Sequence, residues 1–358
     1  MNVLMKIACV GAVAIASAQP ALAQRVLEID PETVWEHPHS GIKVPTELGG
    51  LPRGRVTEFT PDYLNLGFSF RVDDQPDEIS LYIYRNTNGG VPVWFEQARK
   101  GIELREIYAG PELVYEIAPY AWPGQEGWVG LRAFYDTPNS DYASSTGVAL
   151  FSVNGWYVKV RVTSKTRSAA DLSLWVDTAL REVMLPELTA PQAAPDPISD
   201  CAEKLEFKKK AKDATVDGAS SIINALLGSV AAEKLADDDE AEQSEPVIWC
   251  RDGQLSPMQV AYRANASTDS YLMALGDSGI GVSVAPDSGA ALMAGASGGA
   301  AKSYSIALIT DNQQINFVPQ TRLPSFKRVM EIINANRRVS ATSTWGEGNK
   351  IELSPGAL

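Results

Sequence analysis

Leu64-Asn65-Leu66-Gly67-Phe68-Ser69-Phe70-Arg71-Val72 alternates apolar with polar residues, and Ile79-Ser80-Leu81-Tyr82-Ile83-Tyr84 alternates again after an acidic turn, Asp73 to Glu78. A period of two lines one face of an extended chain, so the stretches predict an antiparallel pair of strands. From Val93 to Ile107 the period changes. Phe95, Ala98, Ile102 and Arg105 fall at helical spacing, which predicts a helix crossing the sheet. Further strands are expected at Val129 to Tyr135, Gly147 to Val153 and Trp156 to Thr163. A helix from Ala169 to Met184 follows, with Leu172, Val176, Ala179 and Val183 as its apolar stripe. Strands followed by helices that cover a sheet face make an α+β sandwich, placed at residues 24–188.

Pro186, Pro191, Pro195 and Pro197 then interrupt an Ala-rich stretch, which reads as a semi-rigid linker over 189–200. The second half, 201–358, opens with helical composition from Glu203 to Ala236. Ile222, Ile223, Leu226, Leu227 and Val230 share a face there, ahead of the solvated acid run Asp237 to Glu240. Strands are expected near Gln259 to Arg263, Tyr271 to Leu275, Gly281 to Ala285, Ser303 to Thr310 and Gln314 to Val318. A last helix, Ser325 to Asn336, is capped by Ser325 and carries Phe326, Val329, Met330 and Ile333. The chain is thus expected to be α+β, with two domains, each a mainly antiparallel sheet backed by helices.

The first half closes on Gly155-Trp156-Tyr157-Val158-Lys159-Val160-Arg161-Val162-Thr163, a strand that leads into an amphipathic helix. In this order of elements, from about Gly41 to Leu188, the chain resembles the Mog1/PsbP-like superfamily. The resemblance implies a twisted antiparallel sheet sandwiched by helices and an accessory or binding role; it carries no site residue. As a whole the chain looks like a bacterial exported protein.

Residues 1–23 have the three zones of a cleavable signal: Lys6, an apolar stretch from Ile7 to Ala18, and Ala21-Leu22-Ala23 before Gln24. The apolar stretch is about a dozen residues, short of the roughly 20 that span a bilayer. Its removal leaves 30 of the 31 basic residues against 44 acidic ones, a net charge near −14. That balance excludes nucleic acid as a partner class and disfavours an anionic membrane surface. With Cys9 gone, Cys201 and Cys250 form an even pair, expected to be bridged in the periplasm or outside the cell.

Several motifs mimic catalytic ones. Gly276-Asp277-Ser278-Gly279 resembles a protease nucleophile segment, and Gly295-Ala296-Ser297-Gly298-Gly299 fits G-x-S-x-G; both mechanisms need a histidine base. The chain has only His37 and His39, so nothing after Ser297 can serve it, and a hairpin turn explains Gly276 to Gly279 better. Asp277-Ser278-Gly279 and Asp287-Ser288-Gly289 lie too close together for the two lobes of an aspartic protease, and Ser40-Gly41-Ile42-Lys43 lacks the Lys-Thr-Gly element of a penicillin-recognising site. His37 and His39, flanking Pro38, would need a third ligand such as Glu36 or Glu47 to hold a metal. Gly289 to Ala301 lacks the Gly-Lys-Ser/Thr ending of a phosphate loop, and no cofactor is expected.

The remaining hint is aromatic. Tyr108, Tyr115, Tyr120, Trp122, Trp128 and Tyr142 crowd a Pro- and Gly-rich stretch that reads either as a recognition loop or as core filling for the sheet's second face. The sequence therefore points to an exported, non-enzymatic accessory or binding protein of the cell envelope that recognises a protein partner or small ligand. A carboxylate-dependent hydrolase of envelope glycans is the alternative, and the 203–236 helix offers an oligomerisation surface.

Overall fold

A computed structural model describes residues 24–189, 192–207, 209–215, 223, 247–291, 303–346 and 350–354. The export leader, the acid run Asp237 to Glu240 and the Gly295 to Gly299 motif lie outside the described residues, as does the 203–236 helix beyond its first turns, save Ile223.

The first half begins with β1 (Arg25–Leu27), the short pair β2 (Trp35–Glu36) and β3 (Lys43–Val44), and β4 (Glu47–Leu48). The alternating stretches form β5 (Leu51–Thr60), β6 (Asn65–Arg71) and β7 (Asp77–Arg85). After a helix α1 (Val91–Glu103) come the short β8 (Glu112–Leu113) and β9 (Pro119–Ala121), then β10 (Val129–Asp136), β11 (Ser145–Val153) and β12 (Trp156–Ser164). The sheet order is β1-β5-β6-β7-β12-β11-β10-β8, antiparallel throughout, with β4 on β5 and β9 on β10.

Strands β11 and β12, side by side in this sheet, are buried on both faces. Phe151, Val158 and Val160 meet Leu172, Val176 and Ala179 of helix α2 (Ala169–Ala179), whose Ser168 cap accepts from the Asp171 N–H. On the other face Val148, Leu150 and Tyr157 meet Val93, Trp94, Phe95 and Ala98 of α1. The expected helix to Met184 tightens into a 3-10 turn at Leu180–Glu182.

The second sheet runs nearly in sequence order. It starts with β13 (Ser199–Asp200), parallel to β14 (Trp249–Ser256), and continues through β15 (Gln259–Ala264), β16 (Tyr271–Leu275), β17 (Gly281–Pro286), β18 (Tyr304–Ile309) and β19 (Gln313–Gln320) to β20 (Arg338–Ser343) and β21 (Ile351–Leu353). Helix α3 (Phe326–Asn334), capped by Ser325, buries Val329 and Ile332 on this sheet. The disulfide Cys201–Cys250 closes the start of the sheet, with its Cα atoms 4.9 Å apart.

Helix α1 sits between the two sheets. Its core includes Val260 and Tyr262 of β15 and Leu272 and Ala274 of β16 as well as the first-sheet residues. The layers therefore run α2, first sheet, α1, second sheet, α3. This is why Glu96 and Gln97, polar positions of α1, are buried as well: Gln97 Nε2 donates to the Tyr262 hydroxyl at 2.8 Å, and Glu96 pairs with Arg251 at 2.8 Å.

Two expectations change. Antiparallel sheets dominate and helices are sparse, so the described residues are mainly β rather than an even α+β mixture. Residues 203–207 are not helical; Leu205 and Phe207 instead pack against the core under α3. The Pro/Ala segment is seated, too. Gln192 Nε2 donates to Ser152 O at 3.0 Å, and Ile198 joins the core around α1. Proline denies that segment a ladder of its own, but not side-chain anchors.

Candidate functional site

The protease-like segment is a hairpin tip. Gly276 and Gly279 join β16 to β17 with φ of 90° and 82°, the left-handed backbone that favours glycine. The tip reaches across to the first sheet. Lys159 of β12 donates to the Asp277 backbone carbonyl at 2.7 Å and to its carboxylate at 3.0 Å, while Asn88 Nδ2 donates to Gly279 O at 2.7 Å. Burial pushes the Asp277 carboxyl up, but Lys159 and Arg161 outweigh it and hold it below 3.8. Among the described residues no hydrogen bond joins Ser278 to a histidine.

A second tip, between β18 and β19, docks beside the first. Asp311 Oδ2 accepts from Thr60 Oγ1 at 2.6 Å and Asn65 Nδ2 at 3.1 Å, and its backbone carbonyl accepts from Arg85 at 3.0 Å. Burial raises the Asp311 carboxyl to about 6, against the opposing pull of those donors. Through these contacts the partly exposed Asp277 and the buried Asp311 tie the two sheets together.

The histidines are equally occupied. His37 Nε2 meets Tyr63 O at 2.9 Å, which makes it the protonated nitrogen, and Nδ1 accepts from the Ser40 N–H at 3.1 Å. Burial drives its pKa down to about 4. His39 Nε2 meets Asp62 O at 2.9 Å, and its ring packs edge-on against Trp345. Among the described residues no group of three or more His, Cys, Asp or Glu is placed to hold a metal.

The aromatic residues divide. Tyr120, Trp122 and Trp128 are buried on the α2 face: the Tyr120 hydroxyl donates to Asp177 at 2.5 Å, and Trp122 Nε1 donates to Leu180 O at 3.0 Å. Tyr108 is buried on the α1 face. Tyr115 and Tyr142 are 52% and 43% exposed. The six do not form one surface, because the short strand β9 carries Tyr120 under the sheet while β8 leaves Tyr115 at its outer end.

What the two exposed tyrosines join is an apolar strip that alternation could not reveal. Leu104, Ile107, Leu113, Val114, Tyr115 and Tyr142 are six of the thirteen large apolar side chains exposed among the described residues. Ile107, Leu113 and Tyr142 lie around β8 and the β10–β11 loop, Val114 and Tyr115 follow β8, and Leu104 ends α1. Ser140 Oγ donates to Ile107 O at 2.5 Å, Tyr108 stacks obliquely on Tyr142, and Leu113 pairs with Tyr135 of β10. β8 is the last strand of this edge, so its outer backbone groups face away from the sheet. Glu106, Glu112, Glu116 and Asp141 flank the strip and are exposed.

No helix of the described residues is long and apolar enough to cross a membrane. Comparison with protein-family models, with curated proteins and with solved structures gave no match.

Proposed function

We propose that this chain is an exported, non-catalytic binding protein of the cell envelope, and that the strip at β8 is its contact surface for a protein partner. The observation that carries the proposal is the exposure of Leu113, Val114 and Tyr115 at and just after the edge strand β8, with exposed Ile107 and Leu104 before it and Tyr142 in the β10–β11 loop. Isolated exposed apolar side chains are ordinary, whereas a contiguous group on a free edge is what a partner covers. An extended segment would add to β8 by main-chain hydrogen bonds and lay alternate side chains over Leu113 and Tyr115. Export is supported by the leader sequence and by the Cys201–Cys250 disulfide. The Mog1/PsbP-like resemblance implies an accessory role of the same kind.

A photo-crosslinking residue placed at Tyr115 or Tyr142 in the native envelope tests this, with Leu174, 66% exposed on α2, as the control position. The expected result is one adduct of defined mass shared by positions 115 and 142 and absent at 174. The same pattern at all three positions, or no adduct at any, overturns the proposal.

A further inference from the structure

Against a chain whose formal net charge is −13, one cleft is cationic. It has a volume of about 370 Å³ and is lined by Lys209, Lys210, Lys327 and Arg328 with a single carboxylate, Glu331. Arg328 is neutralised by Asp213 at 2.7 Å and by Glu331 at 3.6 Å. Lys209, Lys210 and Lys327 have no carboxylate within ion-pair distance among the described residues.

The chain just beyond Lys209 and Lys210 is fixed to the second sheet. Residues 211–214 are bonded to the end of β19: the Ala214 N–H donates to Pro319 O at 2.8 Å, and the Thr321 N–H to Lys212 O at 2.8 Å. Asp213 also binds Arg337 at 2.8 Å, and these cationic donors hold its carboxyl down at about 2. On the other side, Phe207 packs edge-on against Phe326 at the start of α3. Lys327 and Arg328 lie in the first turn of α3, which has no acidic residue. Cations at that end of a helix oppose its dipole, and three unpaired ammonium groups around one small cavity repel each other. Among the described residues no carboxylate offsets either cost for Lys209, Lys210 or Lys327, and an anion in the cleft would do so.

We propose that this cleft binds a small multivalent oxyanion, a phosphate or polyphosphate group held by Lys209, Lys210 and Lys327. Its size is at the lower end for ligand clefts, which suits a phosphorylated small molecule rather than a polymer. Ammonium groups supply charge and donors without the bidentate geometry that would demand a carboxylate.

Isothermal titration of the intact exported chain with inorganic triphosphate at low ionic strength is the test, alongside sedimentation with vesicles containing phosphatidic acid. Saturable triphosphate binding is expected, weakened about tenfold in the Lys210→Gln, Lys327→Gln double variant and unchanged in Lys100→Gln, a lysine on α1 far from the cleft. Since the substituted lysines are exposed, an unchanged melting temperature shows that the fold is intact. Equal binding by wild type and double variant overturns the proposal, as does binding to the vesicles with none to triphosphate, which would assign the lysines to a lipid surface.

Discussion

Lys159, central in the first sheet, holds Asp277 at the tip of a second-sheet hairpin through both its backbone carbonyl and its carboxylate. The lysine side chain is 6% exposed and the aspartate 27%, so the bond is nearly desolvated on one side only. Asp277→Ala would leave the Lys159 ammonium buried with only a carbonyl acceptor, and is expected to cost about 3 kcal/mol. Lys159→Met leaves the more exposed carboxylate near Arg161, 3.9 Å away, and should cost roughly half as much. Urea denaturation of both variants checks the order; equal costs would count against a desolvated pair.

Asp311 and His37 should pull the pH dependence of stability in opposite directions. Asp311 has a folded pKa of about 6 against 3.8 unfolded, so its contribution is fully present below 3.8 and is lost as pH rises through 6. His37 has a folded pKa of about 4 against 6.5, so its contribution is present above 6.5 and is lost as pH falls through 4. Each spans on the order of 3 kcal/mol, and the two nearly cancel between pH 4 and 6. In Asp311→Asn the histidine slope should stand alone, with stability falling steeply on acidification over that window. Chemical denaturation at a series of pH values reads this directly.

The disulfide joins residues 49 apart in sequence. Closing a loop of that length removes denatured-state entropy worth about 4 kcal/mol, so reduction should lower the denaturation midpoint accordingly. The Cys201→Ser, Cys250→Ser double variant should match the reduced protein and be insensitive to reductant.

Trp94 is fully buried in the core that α1 shares with both sheets. Trp94→Ala is expected to cost about 3–5 kcal/mol. Because the cavity would face both sheets, amide exchange should accelerate in β12 and in β16 together. Acceleration confined to the first sheet would show that α1 does not couple them.

Local pattern fixes much of this molecule. Alternation at Leu64 to Val72 and Ile79 to Tyr84 placed strands because a half-buried strand must alternate, and Ser325 marked a helix start because its hydroxyl satisfies an orphan N–H. β11 and β12 were also legible, as the strands expected at Gly147 to Val153 and Trp156 to Thr163. The segment 203–207 was misread as helix because composition registers propensity and not packing, and Leu205 and Phe207 gain more on the sheet than in a helix turn. The aromatic stretch misled in the same way, since a ring in a core and a ring on a surface have the same signature.

By itself, then, the sequence determined β6, β7, β10 to β12 and β15 to β19, the helices α1, α2 and α3, the cysteine pair and the acidic charge balance, each a property of neighbouring residues or of composition, while β5, β14 and β20 were not legible in it. Only the tertiary structure decided that α1 lies between two sheets, that Asp277 and Asp311 on second-sheet hairpin tips bond to the first sheet, and that the apolar strip and the lysine cleft exist. The α1 packing, the hairpin contacts and the cleft join residues more than a hundred positions apart, and the strip joins a helix end, an edge strand and a loop; neither periodicity nor spacing carries such meetings.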